Sequence, residues 1–174
     1  NDGRTSVADI AVALGRSGAA CGEAVPPPPA ASGAVALHAA YPTAARGEEA
    51  ELLITLPTDG APIGAIEVSL ALGPGWEFVR AAAGDRLAEA QVLSSAVGTS
   101  VRVAAFVDRD ATAGEALLRL TLRRTAGAAD GLAVTGAEVT TAAGRPYRVT
   151  VDGETVSPPV RTGTLYLPRL SVVR

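Results

Sequence analysis

The feature that most constrains the fold of this sequence is a two-residue alternation of apolar and other side chains between residues 64 and 123. In its first run, GAIEVSLAL, the apolar side consists of Ile66, Val68, Leu70 and Leu72. A second run, SVRVAAFV, repeats the pattern with Val101, Val103, Ala105 and Val107. Successive side chains of a β-strand point to opposite faces, so each run predicts a strand that is covered on one face.

Similar segments, separated by Gly, Pro and Asp-Gly turns, follow one another from residue 34 onward. The predicted strands are Val35–Tyr41, Ala50–Leu56, Gly64–Leu72, Trp76–Ala82, Glu89–Ala96, Ser100–Val107, Ala116–Arg123, Leu132–Thr140 and Tyr147–Val156. Nine short strands of this kind are typical of an all-β, antiparallel β-sandwich. Its predicted core includes Leu52, Ile54, Val68, Leu70, Val103 and Leu120.

Composition excludes several kinds of partner. The formal net charge is −3 and no cluster of basic residues occurs, so we expect no binding to nucleic acid or to anionic lipid. No apolar run reaches the ~20 residues of a transmembrane helix, so we predict no membrane span. Aromatic residues make up only 3% of the chain, which disfavours a sugar-stacking site.

The residues needed for catalysis are scarce. His38 is the only histidine and Cys21 the only cysteine, so neither a zinc site nor a disulfide can be assembled within one chain. Asp108 and Asp110 follow the sixth predicted strand, where they form either a solvated turn or a set of ion ligands. We predict that the protein is not an enzyme and has no organic cofactor. Cys21 either lies incidentally in a linker or belongs to a lipoprotein processing site.

Residues 1–15 match part of a calcium-binding loop followed by a helix. Asp2, Gly3, Ser6 and Asp9 fall on positions 5, 6, 9 and 12 of an EF-hand loop. The apolar face of the helix consists of Val7, Ile10 and Leu14. Because positions 1 and 3 would precede Asn1, we expect at most weak Ca²⁺ binding by Asp2, Ser6 and Asp9. The alternative is a helix that is capped by an acidic residue and binds no metal.

Two further segments flank the predicted sandwich, which spans residues 35–156. Residues 16–34 contain the run Pro26–Pro29, which predicts a stiff linker. Residues 157–174 alternate again after Ser157-Pro158-Pro159, and predict either a last strand on the same sandwich or a strand that is donated to another chain. The donor side chains would be Leu165, Tyr166, Leu167 and Leu170.

The segment 1–15 resembles half of a dockerin, and residues 35–156 resemble a cohesin module. The cohesin resemblance rests on IEVSLALGPGWEFVRAAAGDRL, on VRVAAF and LLRLTL, and on GLAVTGAEVTTAAGRPY. It implies a jelly-roll sandwich of nine strands, with partner helices docking on the sheet formed by strands three, five, six and eight. Carried over to this chain, the docking positions are Glu67, Ser69, Arg102, Ala104 and Phe106, joined by Leu93 or Ser95.

Cohesins and dockerins are partners, and this chain resembles a part of each. We therefore expect an extracellular or cell-surface, non-catalytic assembly subunit that polymerises head to tail, because complementary surfaces on one chain form open filaments unless a ring closes. The alternatives are a scaffold module that recruits dockerin-bearing enzymes, a carbohydrate-binding module whose platform would be Trp76, and a structural spacer.

Overall fold

A computed structural model describes residues 33–57, 60–125 and 131–159. The described chain forms ten strands. They are β1 Ala34–Ala40, β2 Glu49–Thr55, β3 Ile63–Ala71, β4 Trp76–Ala83, β5 Gln91–Val97, β6 Ser100–Ala111, β7 Ala116–Arg124, β8 Ala133–Thr140, β9 Arg148–Val151 and β10 Glu154–Thr155. A single 3₁₀ turn, Asp85–Leu87, joins β4 to β5.

The strands form two packed sheets, which confirms the predicted sandwich. One sheet has the order β10-β9-β1-β2-β7-β4 and the other has the order β5-β6-β3-β8. The second sheet thus contains the third, fifth, sixth and eighth strands, as the cohesin resemblance implied. Within the residues described, no helix has the length and apolar character that crossing a membrane requires.

Three details of the strand prediction were wrong. The predicted ninth strand is a hairpin, β9 and β10, because Asp152-Gly153 makes a turn at φ 51° and 86°. The sandwich is not wholly antiparallel, since β1 pairs with β9 in parallel over Ala34–Leu37. Finally, β6 continues to Ala111 rather than ending at Val107, and a register shift opposite Ile63–Ala65 places Asp108 and Asp110 within the strand.

The alternation correctly predicted the core. All six predicted core residues are at most 1% exposed, and the apolar side of β3 is buried along its length. Val107 is only half-buried, because the extra residues that β6 carries at the register shift interrupt the alternation there. Each sheet therefore has one apolar side in the core and an outer face, and these two outer faces differ in chemistry.

Candidate functional site

The candidate site is the outer face of the sheet β5-β6-β3-β8, here called the four-strand face. Register fixes its members, since Glu67 lies opposite both Ala104 and Glu138, and Leu93 lies opposite Ala104. Its side-chain positions are Gln91, Leu93, Ser95, Val97, Ser100, Arg102, Ala104, Phe106, Ala65, Glu67, Ser69, Ala71, Gly136 and Glu138. The corresponding surface of the larger sheet is called the six-strand face.

The six-strand face carries a ladder of charged pairs. The Arg123 guanidinium on β7 lies 2.6 Å from the Glu49 carboxylate on one side and 3.9 Å from the Glu77 carboxylate on the other. Arg119 reaches Glu51 at 3.6 Å. The hydrogen bond and the attraction to Glu49 raise the pKa of Arg123 above its usual value. Such exposed, alternating charges remain hydrated at little cost, so this face is well suited to solvent.

By comparison, the four-strand face carries fewer charges and more small side chains. Leu93, Ala104 and Phe106 are half-buried, and Val97 at the β5–β6 hairpin is 77% exposed. Its charged members are Glu67, Arg102 and Glu138. Small residues beside a few larger apolar side chains leave a shallow surface that another element can approach closely.

The two central charges of this face neutralise each other. The Arg102 guanidinium donates a hydrogen bond to the Glu67 carboxylate, and these side chains are 20% and 7% exposed. Glu67 was predicted to be exposed, and that prediction was wrong. Glu67 is buried because β3 is flanked by β6 and β8. The ion pair with Arg102 compensates the buried charge of the Glu67 carboxylate. A partner would therefore meet Arg102 rather than Glu67.

Ser69 was also predicted to be exposed and is 8% exposed. Its neighbour in β8 is Gly136, and residues 157–159 pass directly over that glycine. A Cβ at position 136 would lie 3.0 Å from the Ser157 carbonyl oxygen and 3.2 Å from the Pro159 Cα. Because residue 136 has no side chain, the segment that follows β10 can lie against the β8 side of the four-strand face, and Pro159 is buried there.

The structure brings Arg102, Phe106 and Leu93 together on one face, as the sequence predicted. Val97 was not among the predicted positions, although its place before the turn residue Gly98, which has φ 59°, marks it as a hairpin tip. The remaining predicted site residues lie outside the described part of the chain. They are Asp2, Ser6, Val7, Asp9, Ile10, Leu14, Leu165, Tyr166, Leu167 and Leu170.

The other candidate residues have structural surroundings. The Asp110 carboxylate accepts a hydrogen bond of 2.6 Å from the Ala142 amide, and His38 lies 2.5 Å from Asp152. Trp76 is 7% exposed, and the Arg124 guanidinium lies 5.5 Å from its ring centre, so the indole offers no open platform for a sugar. Across residues 33–57, 60–125 and 131–159, no group of three His, Cys, Asp or Glu side chains is placed to hold a metal ion.

Comparison with known proteins identifies the fold. No protein-family model matches the sequence, and no curated protein is significantly similar to it. Among solved structures, the chain resembles a non-cellulosomal cohesin from the archaeon Archaeoglobus fulgidus, with a TM-score of 0.58 at 14% identity. That match covers 68% of this chain and 86% of the cohesin.

Two further neighbours were solved as complexes with dockerins. The sixth cohesin of Acetivibrio cellulolyticus scaffoldin B, bound to a mutant dockerin, matches with a TM-score of 0.57 at 12% identity, over 72% of this chain and 99% of that one. The cohesin of a type I cohesin–dockerin complex from Clostridium thermocellum matches with a TM-score of 0.57 at 10% identity, over 70% and 91%. The chain therefore has the cohesin fold.

Proposed function

We propose that this protein is a non-catalytic assembly module whose four-strand face binds a helical segment of another protein molecule. The observation that carries this proposal is the chemical difference between the two outer faces. The six-strand face is lined by ion pairs, whereas the four-strand face combines small side chains with Leu93, Val97 and Phe106. Two structural neighbours that bind dockerins support the same kind of activity.

We further propose that the bound helix comes from residues 1–15 of a second copy of the chain. In that contact Val7, Ile10 and Leu14 would meet the four-strand face, with Phe106 as its largest apolar side chain. The stiff linker around Pro26–Pro29 disfavours folding of the segment back onto its own sandwich. Because the two surfaces differ, each contact leaves a free surface at both ends, and a filament grows outside the cell or at its surface. A scaffold module that recruits dockerin-bearing proteins is the alternative, favoured by the same two complexes.

Replacement of Phe106 by Asp tests this contact. The new carboxylate would be buried without a partner wherever a helix covers the face, and loss of a large apolar anchor costs about 2 kcal/mol or more, or about 30-fold in affinity. We expect Phe106→Asp and Ile10→Asp to give folded chains that form markedly smaller species than the parent chain does under the same conditions. Sedimentation velocity at several concentrations measures the difference.

A matched control places the same charge on the other outer face. Ala36 is exposed on β1, so Ala36→Asp should leave assembly unchanged. Val97→Asp places the charge on the four-strand face at a site too exposed to affect folding. Like Phe106→Asp, this single variant should weaken assembly. A parent chain that sediments as a monomer at high concentration in Ca²⁺ contradicts self-assembly and leaves the recruiting module as the function.

Calcium dependence tests the segment 1–15 separately. If Asp2, Ser6 and Asp9 bind Ca²⁺, the ion orders the helix that follows, and assembly should be tighter with Ca²⁺ than with a chelator. Asp9→Ala removes the carboxylate at position 12 of the loop and should abolish that difference. Light scattering during a calcium titration measures it. Identical behaviour of the parent and Asp9→Ala in Ca²⁺ and in chelator would leave Asp9 as a helix cap.

A further inference from the structure

We propose that the free edge of β5 accepts an added strand, and that this strand is residues 164–170 of a second copy of the chain. This contact is separate from helix docking on the four-strand face and does not depend on it. Of the four outer sheet edges in the described residues, β5 is the one that lacks the features that usually prevent pairing with another chain.

The other three edges are protected in different ways. β10 has only two residues. β4 is bulged between Phe78 and Arg80 and carries exposed Glu77 and Arg80. The edge of β8 is occupied by its own chain, because the Val139 carbonyl accepts a hydrogen bond of 2.9 Å from Tyr147 and the Ala137 amide donates one of 3.2 Å to Ser157. Short length, bulges, charges and covering loops all discourage edge-to-edge pairing.

β5 has none of these features. Its seven residues, QVLSSAV, contain no charge, no Pro and no Gly, and they pair with β6 in unbroken register. Val97 and Ser100 flank a two-residue turn, so they exchange backbone hydrogen bonds with each other. By alternation, the N–H and C=O groups of Val92, Ser94 and Ala96 point away from β6. They form a ready acceptor for one more strand.

The reach of the chain favours a strand from another copy. Pro159 lies over β8, at the opposite side of the sheet from β5. A strand added beside β5 would lie four strand spacings from β8, or about 19 Å. The five residues from Pro159 to Thr164 span at most about 18 Å when fully extended, and would also have to cross the four-strand face. The same segment of a second copy has no such restriction.

The sequence of the segment suits an added strand. Its alternation places Thr164, Tyr166, Pro168 and Leu170 on one side and Leu165, Leu167 and Arg169 on the other. If Leu165, Leu167 and Arg169 direct their amides to β5, the missing N–H of Pro168 falls on the new free edge. Addition would then stop after one strand, because proline at that edge discourages a further partner.

Pairwise disulfide cross-linking of the full chain tests the proposal. Two proteins are mixed, both carrying Cys21→Ser, with Ala96→Cys in one and, one at a time, Leu165→Cys, Leu167→Cys or Arg169→Cys in the other. Adjacent strands hold their Cα atoms within the range that a disulfide bridges. After mild oxidation we expect one of the three mixtures to give covalent heterodimers, in a yield at least about fivefold above that of the covalent homodimers that either protein forms alone. Repeating the mixture with Phe106→Asp in both proteins should leave the yield unchanged, which separates this contact from helix docking.

Ser94 supplies the matched pair of variants. Ser94→Pro in the acceptor removes an amide at the free edge without touching the β6 ladder, and should reduce the heterodimer to background, whereas Ser94→Ala should not. Equal melting temperatures of these two variants show that the fold is intact. The proposal is overturned if no mixture gives heterodimers, or if Ser94→Pro does not lower the heterodimer yield. It is also overturned if Ala96→Cys chains mainly cross-link to each other, or if chains that carry both the acceptor and the donor cysteine form an internal disulfide at high dilution.

Discussion

Replacement of Arg86 by Leu is expected to lower the free energy of unfolding by about 3 kcal/mol or more, because three backbone carbonyls lose a charged donor and each buried acceptor left unsatisfied costs about 1–3 kcal/mol. Arg86 is 3% exposed in the turn Asp85–Leu87. Its guanidinium donates hydrogen bonds of 2.6 Å to the Ala61 carbonyl, 3.2 Å to that of Gly114 and 3.4 Å to that of Leu56. Leucine would fill part of the space but would leave three backbone acceptors without this donor.

Urea denaturation followed by circular dichroism measures that loss. Arg80 on β4 is exposed, so Arg80→Leu is the matched control and should change stability by less than about 0.5 kcal/mol. The neighbouring Asp85 carboxylate accepts a hydrogen bond of 2.7 Å from the Ala116 amide, which lowers the pKa of Asp85. An Arg86→Leu protein as stable as the parent would show that the three carbonyls find other donors.

Replacement of Leu70 by Ala is expected to cost about 2–5 kcal/mol. Leu70 is 1% exposed near the C-terminal end of β3, opposite Val101 in β6 and Val134 in β8. Close-packed sheets on either side can relax only partly, so most of the lost volume remains as a cavity. Thermal and urea unfolding of Leu70→Ala, compared with Val97→Ala on the exposed hairpin, measure the effect. A cost below about 1 kcal/mol would contradict the close packing around β3.

The two-residue alternation was sufficient to predict the sandwich and its core. It works because burial on one face of a strand requires an apolar residue at every second position, as Val68, Leu70, Val101 and Val103 show. It could not predict that β9 pairs with β1 in parallel, since register between distant strands depends on the whole topology. It also merged β9 and β10 into one strand, although the Asp152-Gly153 turn between them was visible in the sequence.

The candidate site was only partly predictable, because alternation assigns a residue to a face but does not say what covers it. Glu67 and Ser69 are on the predicted face, yet Glu67 is ion-paired with Arg102 on the adjacent strand. Pro159 lies over Gly136, the β8 neighbour of Ser69. Arg86 was missed for a similar reason. Nothing in the local sequence GDRL distinguishes an arginine whose three acceptors are distant loop carbonyls from a solvated one.

The parallel pairing of β1 with β9 bears on how the sandwich responds to tension. These are the first strand of the described chain and one of its last, and four residue pairs, from Ala34 with Arg148 to Leu37 with Val151, hold them side by side. When a chain is pulled from residues before β1 and after β9, parallel strands slide lengthwise, so their hydrogen bonds are loaded together rather than one after another. A module joined to its neighbours through both ends would thus resist mechanical extension by shear at this ladder.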